Sequence, residues 1–352
     1  GQANAQIELG LGGYMQQWFG YASQDDDLGV GGGANNDFTG TNTASDTEIH
    51  FKGSTTLDNG LQFGVNVQLE GNTSGDQIDE SYLFVTGSFG RIEMGSENSA
   101  QYKMQYAAPD VGIGLNSGDQ TNWVSYAGVG GTSGTFRGAF GSTFVEVARA
   151  NDAKGITYYT PRFAGFQVGA TYRPNTNEDS NGPVDRELQD DGNTTDIFSV
   201  GANYVQSFDG FDVAVAGGFG RGSSHTRGAD DPTAWSVGAN VGFGGFTVGG
   251  SFAQSIDDPA VGDMTGWDLG VSYGTGPWAV SLAWFYGERD GGGAGSDVLQ
   301  AEQNTVHLSS SYALGPGVKV SGTLGYQDIS DEDGRGEDNT AWYIVAGPNL
   351  SF

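Results

Sequence analysis

The sequence predicts an all-β chain, a 16-stranded antiparallel transmembrane β-barrel. Three observations lead there. With 62 Gly, 12% aromatic and only 36% hydrophobic residues in 352, the chain has no stretch near the roughly 18 consecutive apolar residues that a spanning helix needs. Apolar and polar residues alternate with period two in short segments, the pattern of a strand with one wet and one apolar face. Tight turns alternate with long polar loops, which places the short connections at one end of a sheet and the long ones at the other.

Composition narrows the class further. The net charge of −29, from 43 acidic against 14 basic residues, excludes nucleic acid as a partner, since phosphate binding needs basic surface. Disorder is the plain alternative for an acidic, Gly-rich chain, but the aromatic content and the ordered alternation oppose it. The absence of Cys suits a chain that passes through an oxidising compartment without disulfides. Gly1-Gln2-Ala3-Asn4-Ala5 carries no signal-peptide pattern, as expected of a mature chain from which one has been removed.

The elements follow in order. Residues 6–21 read as a first strand, and the Gly-, Asn- and Asp-rich residues 22–44 as a loop. In 46–57, Ile49, Phe51 and Gly53 alternate with Glu48, His50, Lys52 and Ser54. Asp58-Asn59-Gly60 is a hairpin turn of the kind that tolerates positive φ. The return strand, 61–71, puts Leu61, Phe63, Val65, Val67 and Leu69 on one face and Gln62, Asn66, Gln68 and Glu70 on the other. Strands at 78–88 and 90–96 complete the first group.

After residue 151 one unit recurs: a tight turn, then an apolar or aromatic residue, then x-Val. It appears as Gly165-Phe166-Gln167-Val168, Gly210-Phe211-Asp212-Val213, Gly245-Phe246-Thr247-Val248, Pro277-Trp278-Ala279-Val280 and Gly317-Val318-Lys319-Val320. The strands it punctuates fall at 152–161, 165–173, 194–207, 211–221, 232–243, 245–256, 264–275, 277–288, 303–313, 316–327 and 338–352. That makes sixteen, an even number with both termini at the short-turn end, so first and last strands can pair and leave no open edge. Aromatic residues gather at both ends of these strands: Phe208, Phe211, Phe243, Phe246, Tyr273, Trp278 and Tyr312 by the turns, and Tyr172, Trp235, Phe252, Trp267, Trp284, Tyr286 and Trp342 by the loops. Two such belts match the interfacial girdles of a membrane barrel.

The final strand carries the most specific signal. Trp342, Ile344, Ala346, Pro348, Leu350 and Phe352 share one parity, and the chain ends on Phe. Here the sequence resembles the Gram-negative general diffusion porins, and it is most similar to the alphaproteobacterial branch in Tyr158-Tyr159-Thr160-Pro161-Arg162-Phe163-Ala164-Gly165-Phe166 and in Ser99-Ala100-Gln101-Tyr102-Lys103-Met104-Gln105-Tyr106-Ala107-Ala108-Pro109. The resemblance implies one water-filled barrel domain over 1–352 in the outer membrane, with short periplasmic turns and long extracellular loops. It also implies a homotrimer, with outer-membrane lipid and lipopolysaccharide as partners and small hydrophilic solutes and ions as cargo. The Pro-Glu-Phe-Gly-Gly motif of the enterobacterial branch is missing, and Ser96 stands where that branch often has Arg.

The stretch 97–151 breaks the strand rhythm. It lies where such porins fold their third loop inward, and a sixteen-stranded barrel is too wide to sieve small solutes unless something narrows it. Glu97, Asp110 and Asp119 are the acids expected on this constriction loop. By strand parity Lys52, Arg91 and Arg173 are expected to face them from the wall, with Arg149 and Arg162 close by. Opposed charges across a narrow wet gap would order water, penalise apolar solutes and set ion preference. Lumen and mouth acids outnumber the bases that can be placed inside, so a modest cation preference is expected. A sugar-preferring channel is the alternative, because Tyr102, Tyr106, Trp123, Tyr126 and Tyr159 lie in or near this stretch.

Acidic runs fill the other loops: Asp25-Asp26-Asp27, Glu178-Asp179, Asp190-Asp191, Asp230-Asp231, Asp257-Asp258 and Asp331 to Asp338. Such density would suit Ca²⁺ or Mg²⁺. Asp331, Asp333 and Glu337 are the candidate calcium ligands, although the run lacks EF-hand spacing and solvated carboxylates are the simpler reading. No other cofactor is expected. Nor is an enzyme: of three His, at 50, 225 and 307, the two of lumen parity, His50 and His307, stand on distant strands.

Overall fold

The computed structural model describes residues 7–25, 38–73, 75, 77–132, 134–178, 192–292 and 298–352. Asp26, Asp27, Asp179, Asp190 and Asp191 of the acidic runs, and the expected start of the first strand at Gln6, lie outside the described residues.

Sixteen strands close into one antiparallel barrel in which each strand pairs with its sequence neighbours and the first pairs with the last. Before the long inward segment run β1 (Glu8–Gln24), β2 (Thr41–Thr56), β3 (Gln62–Glu70), β4 (Ile78–Gly87) and β5 (Gly90–Ser96). After it come β6 (Lys154–Tyr159), β7 (Phe166–Asn175), β8 (Thr194–Phe208), β9 (Phe211–Ser224) and β10 (Thr233–Phe243). The rest are β11 (Phe246–Asp258), β12 (Gly262–Thr275), β13 (Trp278–Arg289), β14 (Ala301–Gly315), β15 (Val318–Asp331) and β16 (Asn339–Ser351). Closure reaches the last residue: the Gly13 N–H donates to the Phe352 carbonyl and the Phe352 N–H to that of Gly13, both at 3.0 Å.

Several strands run further toward the long loops than the alternation predicts. β1 continues to Gln24 rather than stopping at 21, β2 starts at Thr41 rather than 46, and β15 extends to Asp331 rather than 327. β6, at Lys154–Tyr159, is shorter than the expected 152–161. Beyond the apolar belt both faces of a strand meet water or polar loops, so the alternation fades while the backbone ladder continues.

The two faces of the sheet have opposite chemistry. Leu9, Phe166, Val200, Leu282 and Ile344 stand exposed on the outside. An apolar surface of that extent is stable against lipid and a liability in water. It is bounded by two aromatic girdles. At the short-turn end Phe208 and Phe211, Phe246 and Tyr273, and Trp278 and Tyr312 pair with ring centroids 5.0, 4.6 and 4.5 Å apart. At the long-loop end Tyr172 and Phe198, Trp235 and Phe252, and Trp267 and Trp284 do so at 4.7, 5.3 and 4.6 Å.

The inner face is polar, and along β7–β15 it is also buried: Thr171, Ser199, Asp268, Ser281, Gln303, His307 and Thr323 are each under a tenth exposed. What covers them is the segment between β5 and β6. Phe140, Leu115, Trp123 and Val129 from that segment pack with Phe285, Met264, Ile329 and Tyr343 from the wall. The protein's apolar core therefore sits inside the barrel, against one arc of its wall.

Candidate functional site

The segment starts with a fold-back. Ser99 Oγ accepts from the Tyr102 N–H at 3.4 Å and caps a single helical turn, Ala100–Lys103. This turn can lie flat on the wall because the wall there is glycine. A Cβ at Gly201 would stand 2.4 Å from the Ala100 carbonyl oxygen, and one at Gly238 1.8 Å from that of Tyr106. Further along, Gly266 and Gly287 leave the same kind of room for the carbonyls of Ala139 and Phe140.

Polar side chains of the wall then fasten the segment strand by strand. Thr171 Oγ1 on β7 accepts from the Ala100 N–H at 3.0 Å. On β12, Asp268 accepts from the Ala108 N–H and from Asn116 Nδ2, both at 2.9 Å. Ser281 Oγ on β13 and Thr323 Oγ1 on β15 accept from the N–H groups of Val111 and Ile113. Tyr126 donates to Gln303 Oε1 on β14 at 2.8 Å, and Gln24 Oε1 on β1 accepts from the Ser125 N–H at 2.8 Å. At about 0.5–1.5 kcal/mol net each, these bonds together outweigh any single contact.

The predicted acids take three different positions. Glu97 is 7% exposed at the root of the segment, 3.4 Å from Lys103 Nζ, and its carbonyl accepts from Arg173. Burial raises its carboxyl above the ordinary range and the Lys103 charge opposes the rise. Asp110 is clasped by the wall: His307 Nδ1 lies 2.7 Å from Oδ2 and Ser309 Oγ donates to Oδ1 at 2.8 Å. Burial works to raise Asp110, but the hydrogen bond and charge of His307, with the Gly112 N–H and Ser309, hold it below the usual carboxylate range. His307 is itself fixed by Tyr343 OH at 2.6 Å. Asp119 opens a 3₁₀ turn, Asp119–Asn122, and stays half-exposed. Burial first, and the Asp46 charge second, push its carboxyl up to about 7.

The predicted bases divide in two. Arg173 is buried and donates to Glu146 Oε1 at 3.3 Å and to the Ala150 carbonyl, while Arg149 makes a two-pronged pair with Asp258 at 2.9 and 3.2 Å. Both hold the returning arm of the segment. Lys52, Arg91 and Arg162 instead line cavities on the open side of the lumen. Lys52 and Arg91 share one of ≈ 450 Å³ with Glu8, Asn66 and Tyr82, and Arg91 and Arg162 share one of ≈ 760 Å³ with Lys103, Glu93 and Tyr159. Arg91 donates to Glu93 at 2.7 Å and lies 3.8 Å over the Phe84 ring; Arg162 donates to Asn203 Oδ1 at 2.8 Å.

Several groups on this site escape sequence reasoning. Lys103 bridges Glu93 and Glu97, each at 3.4 Å; it lies inside the porin-like run of residues 99–109, which marks its neighbourhood but not its partners. Glu93 shares the parity of Arg91 and was accessible by the same rule. Arg137 has no signal at all. It is buried, 3.3 Å over the Tyr102 ring, and donates to Asn98 Oδ1 at 2.9 Å. Tyr14 OH lies 3.0 Å from Asp46 and 2.9 Å from Glu48, within reach to donate its one proton to either, and His50 lies 2.7 Å from Glu48.

Two of the candidate calcium ligands, Asp331 and Asp333, turn toward their own loop, and the third, Glu337, ties its backbone to the inward segment. Asp331 Oδ1 accepts from the Asp333 N–H at 3.1 Å, Asp333 Oδ2 accepts from Arg335 Nε at 2.7 Å, and Glu337 donates its N–H to the Gly128 carbonyl at 2.8 Å. The Arg335 hydrogen bond holds Asp333 well below the usual carboxylate range. A cation here would have to displace a guanidinium. Among the described residues the carboxylates grouped closely enough to share an ion are Glu48, Glu70 and Asp79, within 4.8 Å of one another inside the lumen.

Comparison with known proteins agrees with this architecture. The chain is 24% identical over 367 residues to an uncharacterised protein of Rickettsia bellii, covering 84% of this chain and 80% of the relative. It is 25% identical over 317 residues to the major outer membrane protein P.IB of Neisseria gonorrhoeae, covering 87% and 74%. Among solved structures, the anion-selective porin from Comamonas acidovorans superposes with a TM-score of 0.63 at 16% identity, covering 99% of this chain and 100% of that one. The trimer form of in-vitro folded OmpT, an outer membrane protein of Vibrio cholerae, also gives 0.63, at 14% identity and 98% and 99% coverage. The model of the Gram-negative porin family matches residues 1–332; with a closed sixteen-stranded barrel around a polar lumen, the chain belongs to that family and is an outer-membrane channel.

Proposed function

We propose that this protein is a passive diffusion channel for small hydrophilic solutes and ions, modestly cation-preferring, with its aperture set by the segment Glu97–Asn151. One observation carries the reading. The segment is bonded along one arc of the wall, from β7 round to β1, which leaves the water-lined passage on the side of β2–β5, where the cavities lined by Lys52, Arg91 and Arg162 lie. Of the predicted charges Asp119, Lys52, Arg91 and Arg162 act on passing ions, while Glu97, Asp110, Arg149 and Arg173 position the segment. Cation preference follows from the acids Asp46, Glu48 and Asp119 on the passage side and from the acidic mouth. Planar-bilayer recording across a salt gradient tests it: a reversal potential on the cation side is expected, and one on the anion side contradicts the preference.

Sugar preference has one observation in its favour. A hollow of ≈ 440 Å³ within the segment is lined by Tyr102, Tyr106, Phe144 and Gln105, and both amide atoms of Gln105 are buried without a partner. Trp123, Tyr126 and Tyr159 are buried and offer no continuous aromatic track. Concentration-dependent block of ion current by neutral sugars would support this second reading, and unaltered current would remove it.

We infer a homotrimer from the likeness to the trimeric Vibrio cholerae protein, with lipid around the apolar outer face and lipopolysaccharide at the acidic rim. The mass of the detergent-extracted protein, corrected for bound detergent, checks the assembly; a monomer mass would reject it.

A further inference from the structure

On the β2–β7 side of the lumen, the charges that do not fasten the inward segment are sorted along the pore axis. On β2 alone the inward face reads Asp46, Glu48, His50, Lys52 from the loop end to the turn end. Six residues at about 3.3 Å each separate Asp46 from Lys52 by roughly 20 Å along the strand. At a strand tilt near 40° that is about 15 Å along the axis.

The neighbours follow the same order. On the loop side Glu70 is the last residue of β3 and Asp79 the second of β4, both grouped with Glu48, and Asp119 of the inward segment feels the Asp46 charge. On the turn side Arg91 is one residue from the β4–β5 turn and Arg162 sits in the β6–β7 connection. The cavity that Arg91 and Arg162 line is bordered by Gly87 and Ser88 of the β4–β5 hairpin and by Pro161, and the one that Lys52 and Arg91 line is bordered by Glu8 and Gly10 near the start of β1. The acids that line those two cavities are Glu8 and Glu93, and Glu93 is 3% exposed between Arg91 and Lys103.

The two zones are distinct to an ion. The Debye length is about 8 Å at physiological ionic strength, shorter than the roughly 10 Å of axis that separates even Glu48 from Lys52, so a cation meets the acids before it senses the bases, and an anion entering from the turns meets the reverse. We propose that this axial junction makes the channel rectify: it conducts better when the outer side is electrically positive. In that polarity cations enter through the acidic zone and anions through the basic zone, and both accumulate where the zones meet. With the polarity reversed both are drawn out and the junction is depleted. The transverse arrangement of charges has no such consequence, because it treats the two directions alike.

This rests on the chain being an open channel. Single insertions in symmetric KCl of about 0.05 M, where charges act over more than 10 Å, are expected to pass at least about 1.5 times more current at roughly +100 mV than at −100 mV, outer side positive; at about 2 M, where screening acts within about 3 Å, the ratio falls to unity. Orientation is read from a single cysteine replacing exposed Glu332, since the chain has no other, by adding a bulky thiol reagent to one side. Lys52→Gln with Arg162→Gln is expected to flatten the low-salt curve. A straight line at low salt in the unaltered protein overturns the proposal, as does asymmetry that persists at 2 M or has the opposite sign. No conductance under any condition would instead overturn the channel reading beneath it.

Discussion

At the scale of single residues, the site divides into charges that hold and charges that face the passage. Asp110 belongs to the first kind, with His307 and Ser309 around its carboxylate. Asp110→Asn is expected to cost about 1–3 kcal/mol, the value of a buried charged hydrogen bond left poorly matched, and to make the open current noisier as residues 110–117 work loose. Thermal unfolding and single-channel variance measure the two effects. Because its folded pKa is depressed, the stabilisation from Asp110 is present above the ordinary carboxylate pKa and fades as pH falls through the lowered value. Asp119 behaves in the opposite way. With its carboxyl pushed up to about 7, it loses charge between pH 8 and about 6, so cation preference is expected to weaken over that interval. Asp119→Asn should give the low preference at both pH values; an unchanged pH profile in that variant would assign the titration elsewhere.

At the scale of elements, the inward segment and its glycine bed act as one unit. Gly238 has no room for a side chain below the Tyr106 carbonyl, whereas a Cβ at Gly242 on the same strand meets nothing nearer than 3.6 Å. Gly238→Ala is therefore expected to lift Tyr106 into the passage and change conductance, with Gly242→Ala unchanged as the matched control. Removing residues 117–131 should enlarge conductance and leave a folded, heat-resistant barrel, since the strands close without them. A fixed or smaller conductance would show that the segment does not set the aperture. The place of this segment in the chain was legible, because it interrupts an alternation that resumes at β6. Its path was not: nothing local in Ala108 or Val111 points to Asp268 or Ser281, which lie 160 and 170 residues away.

At the scale of the whole molecule, an apolar outside and a polar inside are the features that an outer-membrane channel needs, and the long loops of this one add a surplus of acid. At the acidic mouth Asp331, Asp333 and Glu337 are candidate calcium ligands, with solvated carboxylates the simpler reading. With Arg335 already bonded to Asp333 and loop N–H groups bonded to Asp331, we expect the melting profile to be the same in calcium and in chelator. A calcium-dependent rise would mean that Arg335 yields its place. Rectification is also a whole-molecule property, since it depends on the heights at which side chains from β2–β7 and the segment come to rest.

By itself the sequence determined the number of strands, their hairpin order, the face each turns to lipid, the aromatic girdles and where residues 97–151 interrupt the strands, while the inward fold of that stretch came from the porin resemblance. The former follow from period-two alternation and turn chemistry, which are local and can be read a few residues at a time. Tertiary structure alone decided which charges fasten the inward segment and which line the cavities beside it. Glu97, Asp110, Arg149 and Arg173 have the same chemistry on paper as Asp119, Lys52, Arg91 and Arg162. Whether such a residue fastens the segment or faces the passage depends on the stagger of a closed barrel, which brings Asp110 to His307 across 197 positions and sets the height of every side chain along the pore.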